Sequence, residues 1–250
     1  MYRVSPIVKQ LLIINIIFFV GSTLSFNSDF IYSLFGLYFP ENPQFKFWQI
    51  ITHMFMHGNI QHILFNMFAL WMFGSSVESI FGAKKFLFFY ITCGLGAAFI
   101  QILFLYYVFY SNLDLLVSSG YDLSSILNIL AEGKYNTSWE GILGPKGLLD
   151  FNSSFFSSMV GASGAIMGVL VAFGMFFPDS KLMLIFLPVP IKAKYFIPGI
   201  ILLDLFSAIT GQAIFSPSNT AYVAHIGGAL TGFLIMYYWK KNQFTKNRWY

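Results

Sequence analysis

The chain of 250 residues is 57% hydrophobic and only 10% charged, with 31 phenylalanines and a mean hydropathy of +0.69. So few charges could not cover that much apolar surface in a soluble domain, which excludes a soluble globular protein and leaves an all-α polytopic membrane protein with one membrane domain. The pI near 9.0 could suggest nucleic acid, but the basic residues lie between apolar runs rather than in one patch, so they read as topology signals and no nucleic-acid partner is expected.

Residues 1–10 are too short for an organelle transit peptide. The apolar stretch from Leu11 lacks a clear small-residue cleavage site and is expected to stay as a helix. Spanning a bilayer takes roughly 20 mainly apolar residues. Six such runs follow one another, at 11–26, 59–76, 85–110, 155–177, 195–215 and 220–239. Residues 27–58 are apolar but broken by Pro40 and Pro43, and carry Phe39, Phe45, Phe47 and Trp48; they read as an external interfacial loop. Residues 111–154 are polar, with Gly120, Gly133, Gly141, Pro145 and Gly147, and read as an external insertion with a short helix at 123–131. Cys93, the single cysteine, lies in an apolar run and reads as a packing residue. A tight polar turn, 216–219, separates the last two runs.

The charges orient these spans. Arg3, Lys9, Lys84, Lys85, Lys181, Lys192, Lys194, Lys240, Lys241, Lys246 and Arg248 fall on one side, and only Lys46, Lys134 and Lys146 on the other. The positive-inside rule then places both termini in the cytoplasm.

With this orientation three spans carry polar groups into the outer half of the bilayer. His62 and Asn66 share one helix face by i, i+4 spacing. Ser163 would lie roughly 12 Å deep if its helix begins near residue 155, and His225 roughly 8 Å deep. An intramembrane histidine is costly and usually functional, whereas a serine there costs little. Gly161, Gly164 and Gly168 follow i, i+3, i+7, and Gly228 with Gly232 forms a small-xxx-small pair on the face of His225. Such residues let helices approach closely, which would bring Ser163 and His225 together as nucleophile and general base. Helix packing alone would use the same glycines and serine.

These residues resemble a known family. Gly161-Ala162-Ser163-Gly164, Ala224-His225-Ile226-Gly227-Gly228 and His62-Ile63-Leu64-Phe65-Asn66 look like the three signatures of rhomboid intramembrane serine proteases. Thr52-His53, His57, Glu78 and Gly82 also fit, and the likeness covers nearly the whole chain. It implies one six-transmembrane-helix rhomboid bundle over residues 1–250, needing no cofactor. Ser163 would be the nucleophile and His225 its base, in a dyad without a catalytic acid. His62, Asn66 and the Ser163 backbone N–H would be oxyanion donors. The partners would be the lipid bilayer and transmembrane protein substrates, cleaved after a small residue. The chain departs from the family at Trp48-Gln49, where Trp-Arg is frequent, and in the length of its 111–154 insertion. Met167 stands where some members pack an aromatic on the histidine, and a thioether can also pack on a ring.

Gln101 is expected near the site, holding water or substrate backbone, or else bonding between helices. Asp204 lies mid-span; an intramembrane acid is a functional candidate by default, but the implied dyad gives it a buried, hydrogen-bonded structural role. Glu78 reads as structural. His53 and His57 have a spacing that could suit zinc, but nearby carboxylates, cysteines and the His-Glu-x-x-His pattern are missing, so metal is not expected. The 212–222 loop is the natural lid. The absence of a targeting extension favours a bacterial plasma membrane, with the site opening to the periplasmic face. Two alternatives remain: a proteolytically inactive rhomboid-like binder of membrane proteins, and a small transporter, for which inverted repeats would be expected.

Overall fold

The structure is a computed structural model that describes residues 4–184, 187–214 and 221–246. The apolar runs fold as helices. The first, α1 (Pro6–Leu24), opens with proline in its first turn, where no intrahelical N–H is lost. Its cap comes from far along the chain: the Glu78 carboxylate accepts from the backbone N–H of Ile7 at 3.0 Å and of Val8 at 2.9 Å, and from the Ser5 hydroxyl. A carboxylate at a helix N-terminus satisfies orphan donors and complements the dipole, which gives Glu78, 3% exposed, a structural task.

Residues 27–58 form a folded segment, with α2 (Ser28–Phe35), α3 (Gln49–Thr52) and a 3₁₀ turn at His53–Phe55. Phe39, Gln49, Met54, Met56 and His57 are buried within it. The second run is α4 (Ile60–Ala69), a π-helical turn at Leu70–Gly74, and α5 (Ser75–Phe81). The third, α6 (Ala83–Ser118), is 36 residues long, about 54 Å at 1.5 Å per residue and well beyond a bilayer core of about 30 Å. The polar residues after 110 therefore do not end the helix. Phe109, Leu113 and Leu116 instead carry one face of it into a second hydrophobic cluster with Phe39, Ile126, Leu130, Trp139, Phe151 and Phe155. The insertion contributes α7 (Leu123–Ala131), at the expected position, and α8 (Glu140–Phe156), which kinks at Gly144 before Pro145.

The fourth run departs from expectation. Helix does not continue from 155 to 177: residues 157–162 are not helical, and α9 (Ser163–Phe176) starts at the serine itself. Backbone pairing outcompetes helix here. Met159 exchanges two N–H···O bonds with Leu37, at 2.9 and 2.8 Å, and the Gly161 N–H donates to the His53 carbonyl at 2.9 Å. Gly161 has φ +128°, a conformation that favours glycine. Next comes a small antiparallel hairpin that the sequence reading lacked, β1 (Lys181–Leu184) with β2 (Leu187–Lys192), and Asp179 at its base faces Lys192 and Lys194. The fifth run is α10 (Ala193–Thr210) and the sixth lies in α11 (Tyr222–Lys246). Residues 215–220 of the expected lid lie outside the described residues.

α9 is the central element. Every residue from Gly164 to Phe173 is buried, packed by α6, α11, α10 and the second run, where Phe73 meets Phe173 edge-on at 4.9 Å. Four described helical stretches are long and apolar enough to cross a membrane: Pro6–Leu24, Ile60–Phe81, Ala83–Ser118 and Ala193–Thr210; Ser163–Phe176 is a shorter apolar helix. Ile17, Phe88, Phe99, Leu202, Ile209 and Tyr238 are largely exposed on these helices and α11, an arrangement that fits lipid and would be an aggregation hazard in water. The protein is a multi-pass, all-α membrane bundle.

Candidate active site

The site assembles where α9 begins. Because α9 is 14 residues, about 21 Å, it falls short of a 30 Å hydrocarbon core by roughly 9 Å, so its N-terminus sits below the surface when its C-terminus reaches the charged turn at Asp179–Lys181. This replaces the depth expected from a helix starting at 155: extended chain, not helix, leads down to Ser163. The first N–H groups of α9, including that of Ser163, have no carbonyl one turn back and face outward, as at any helix N-terminus.

His62 lies against this turn. A Cβ built on Gly161 would come 2.8 Å from His62 Nε2 and 3.6 Å from Ser163 Oγ. Gly161 thus keeps open the small space that the imidazole and the hydroxyl both border, and a side chain there would fill it. The sequence reading put Gly161 on a packing face of a helix, but it lies before the helix and beside His62. Asn59 caps α4 through its side chain, accepting from the His62 N–H at 2.8 Å, and so sets how the histidine enters the helix. Asn66 follows one turn later, 7% exposed, and its Nδ2 has no hydrogen-bond partner. A buried amide donor without an acceptor is expensive unless something else occupies it.

On the other side, α11 lies against α9 with almost no gap. A Cβ on Gly228 would come within 1.8 Å of the Gly164 carbonyl oxygen, and one on Gly232 within 2.7 Å of Gly168 Cα. Gly168 in turn leaves room for Cys93 of α6, whose Sγ would be 2.4 Å from a Cβ there. His225 is one turn before Gly228, and Ala224 O lies 3.6 Å from a Cβ on Gly164, beside Ser163. The histidine is 9% exposed, and its Nδ1 lies 2.8 Å from Asp204 Oδ2 on α10. The expected buried and hydrogen-bonded Asp204 is found, but its partner is the histidine itself. Twenty-one residues and a change of helix separate the two, so no sequence periodicity links them. Met167 belongs to the buried core.

The segment before α4 supports the site from behind. Gln49, where an arginine was noted as frequent, is fully buried and works as a hub. Its Oε1 accepts from the Tyr38 and Lys46 N–H groups at 3.3 and 3.1 Å, and its Nε2 donates to the Ser33 and Gln44 carbonyls at 2.9 and 3.0 Å. Its own carbonyl meets His53 Nδ1 at 2.8 Å. The fully buried His57 packs edge-on to His62, with centroids 5.0 Å apart. Burial holds both neighbours of the site neutral: desolvation lowers His53 to about 4, and desolvation together with the nearby His62 lowers His57 to about 3. Gln101 Oε1 is buried without a partner. Among the described residues, no three His, Cys, Asp or Glu side chains cluster as metal ligands.

Comparison with known proteins shows the family of the chain. The family model of the rhomboid domain matches residues 44–242. The chain belongs to the rhomboid family. It is 28% identical over 214 residues to presenilin-associated rhomboid-like protein A, mitochondrial, of Danio rerio, covering 82% of this chain and 43% of that one. It is 27% identical over 192 residues to the mitochondrial rhomboid protein 1 of Saccharomyces cerevisiae, covering 77% and 42%. It is 29% identical over 197 residues to rhomboid protease AarA of Providencia stuartii, covering 75% and 54%. The chain spans about half the length of these relatives or less. The mitochondrial names among them do not support the expected bacterial plasma membrane.

Proposed function

We propose that the chain is an intramembrane serine endopeptidase that cleaves transmembrane segments of other proteins, with Ser163 as nucleophile and His225 as general base. The observation that supports this reading is the opening of α9 at Ser163 beside His62, with the helix that carries His225 packed backbone to backbone on α9. Ser163 and its backbone N–H open α9, His62 borders the same small space over Gly161, Asn66 one turn later carries a buried donor, and the Gly164–Gly228 contact sets the helix of His225 against that of Ser163, which would let the histidine serve as its base.

In the reaction, Ser163 Oγ attacks a peptide carbonyl as its proton passes to His225 Nε2. The carbonyl π electrons move onto oxygen, and that oxyanion sits against His62, Asn66 and the Ser163 N–H. Each such donor contributes a few kcal/mol in a water-poor site, because it points at charge that exists only in the transition state. Collapse of the intermediate breaks the C–N bond as His225 returns the proton to the leaving amine, and water then hydrolyses the acyl-enzyme. A regular helix shields its carbonyls, so substrates unwound by helix-breaking or small residues should be preferred. The cleft would open on the membrane face opposite the termini, with residues 27–58 and 111–154 on that side.

A fluorophosphonate probe, together with cleavage of a transmembrane reporter in proteoliposomes, tests this. Wild type should be labelled on Ser163 and should cleave. Ser163→Ala should do neither while keeping its melting temperature. Normal turnover by Ser163→Ala would remove the serine mechanism. No labelling and no cleavage by the wild type would favour the inactive binder or the transporter. Asn66→Ala should lower kcat more than it raises KM, by about 10²-fold or less since two donors remain. A change in KM alone would make Asn66 a binding or packing residue.

A further inference from the structure

Asp204 is an acid buried inside the helical bundle. It is a carboxylate mid-way along an apolar helix, 1% exposed, and a buried acid without a polar partner is strongly disfavoured. Its place brings its Oδ2 within 2.8 Å of His225 Nδ1.

We infer that Asp204 is a positioning residue for the histidine base, making the charge system of this chain a Ser163–His225–Asp204 triad rather than a dyad. This rests on the protease reading above. A carboxylate can only accept, so Nδ1 must carry the proton, and the lone pair of the neutral ring is then on Nε2, the nitrogen left to face the serine. Without the acid, the other tautomer places a proton where the lone pair is needed. The same contact fixes the ring plane across the α10–α11 boundary. When Nε2 takes the serine proton, the ring becomes an imidazolium whose charge lies against the carboxylate, while Asp204 itself neither gains nor loses a proton. α10 packs mainly on α11, α9 and the hairpin, and the bond is a polar link from it to His225.

The test uses the full chain in proteoliposomes with Asp204→Asn, Asp204→Glu, Ser163→Ala and the Asp204→Asn, Ser163→Ala double variant. Asparagine keeps the volume but can present its amide N–H to Nδ1, which stabilises the wrong tautomer. Asp204→Asn should lose kcat on the order of 10²–10⁴-fold with little change in KM, as expected for a tautomer defect. Asp204→Glu should retain more activity than Asp204→Asn. A structural role would move the melting temperature instead, and would not separate kcat from KM. Independently of turnover, ¹⁵N-histidine-labelled Ser163→Ala protein should show a strongly deshielded Nδ1 proton for His225 that disappears in the double variant. That resonance can be read in Ser163→Ala protein even where Asp204→Asn fails to fold, and its absence there overturns the proposal. Asp204→Asn turning over like wild type also overturns it. If Ser163→Ala still cleaves, the protease reading fails instead; if Ser163→Ala is dead and Asp204→Asn is fully active, only the triad fails.

Discussion

Two regions of this molecule are packed from opposite materials. Along the seam of α6, α9 and α11, glycines meet backbone: Gly228 against Gly164, Gly232 against Gly168, and Gly168 against Cys93. In the cluster around the insertion, large rings meet one another. Phe109 stacks on Phe151 at 5.1 Å and on Phe155 at 5.6 Å, Trp139 stands edge-on to Phe151 at 5.9 Å, and Phe39 closes against Phe109 at 5.1 Å. In lipid, burying a side chain gains little, because the tails are as apolar as the protein, so close backbone contact and dispersion must hold helices together. Beyond the bilayer core the hydrophobic effect returns, and aromatic area becomes the main source of cohesion. The site lies where the two meet: Ser163 opens the glycine-packed helix, and the chain leading to it is stitched to the ring-packed side by Leu37, His53 and the Asn42 amide, which donates to the Phe155 carbonyl at 2.7 Å.

This contrast can be broken from either side. The largest effect is expected at Gly228→Ala. Its new methyl would overlap the Gly164 carbonyl, a backbone atom that no rotamer change can move, so α11 must back away and take His225 with it. Overpacking typically costs about 1–3 kcal/mol, and here the displaced base should remove nearly all cleavage. Reporter turnover and Ser163 labelling should fall together, and wild-type rates would mean that the seam is looser than its geometry. On the aromatic side, Phe151→Ala should cost about 3–5 kcal/mol of local stability. Amide hydrogen exchange should rise in α7, α8 and the last turns of α6, while labelling of Ser163 falls only several-fold. Equal loss of labelling in both variants would merge the two regions into one unit.

The smallest effect lies at the junction. His53 and His57 are depressed to about 4 and about 3 by burial, from 6.5 in an unfolded chain. As pH falls below about 6.5, the unfolded state takes protons that the folded state refuses, so stability is full above that pH and declines progressively toward the folded values. The melting temperature should therefore be flat above pH 7 and fall between about pH 6.5 and 5, before most carboxylates titrate. His57→Gln should flatten that slope. A melting temperature independent of pH in this window would show that the two rings are reached by solvent.

Much of the candidate site was legible because its signals are local. The i, i+4 pair of His62 and Asn66, the small residues around Ser163 and the glycine pair after His225 are each read within a few positions. The short helix at Leu123–Ala131 was legible for the same reason, as an apolar stretch between turn residues. Other features had no local signature. The start of α9 was misplaced because the run from 155 is apolar enough for one continuous helix, and pairing with Leu37 and His53 draws residues 157–162 into non-helical chain. α6 ran past its expected end because its polar face after residue 110 hid the apolar face that Phe39 and Phe151 cover.

The sequence by itself determined the membrane class, the order of the apolar runs and the candidate site residues, because hydrophobic length and helical spacing are properties of neighbouring positions. Only the tertiary structure decided which side chain meets which. It set Glu78 on the N-terminus of α1, made Gln49 the hub of the segment before α4, and brought Asp204 to Nδ1 of His225. Those contacts depend on where helices cross and how close their backbones come, and crossing geometry is settled by the whole bundle at once.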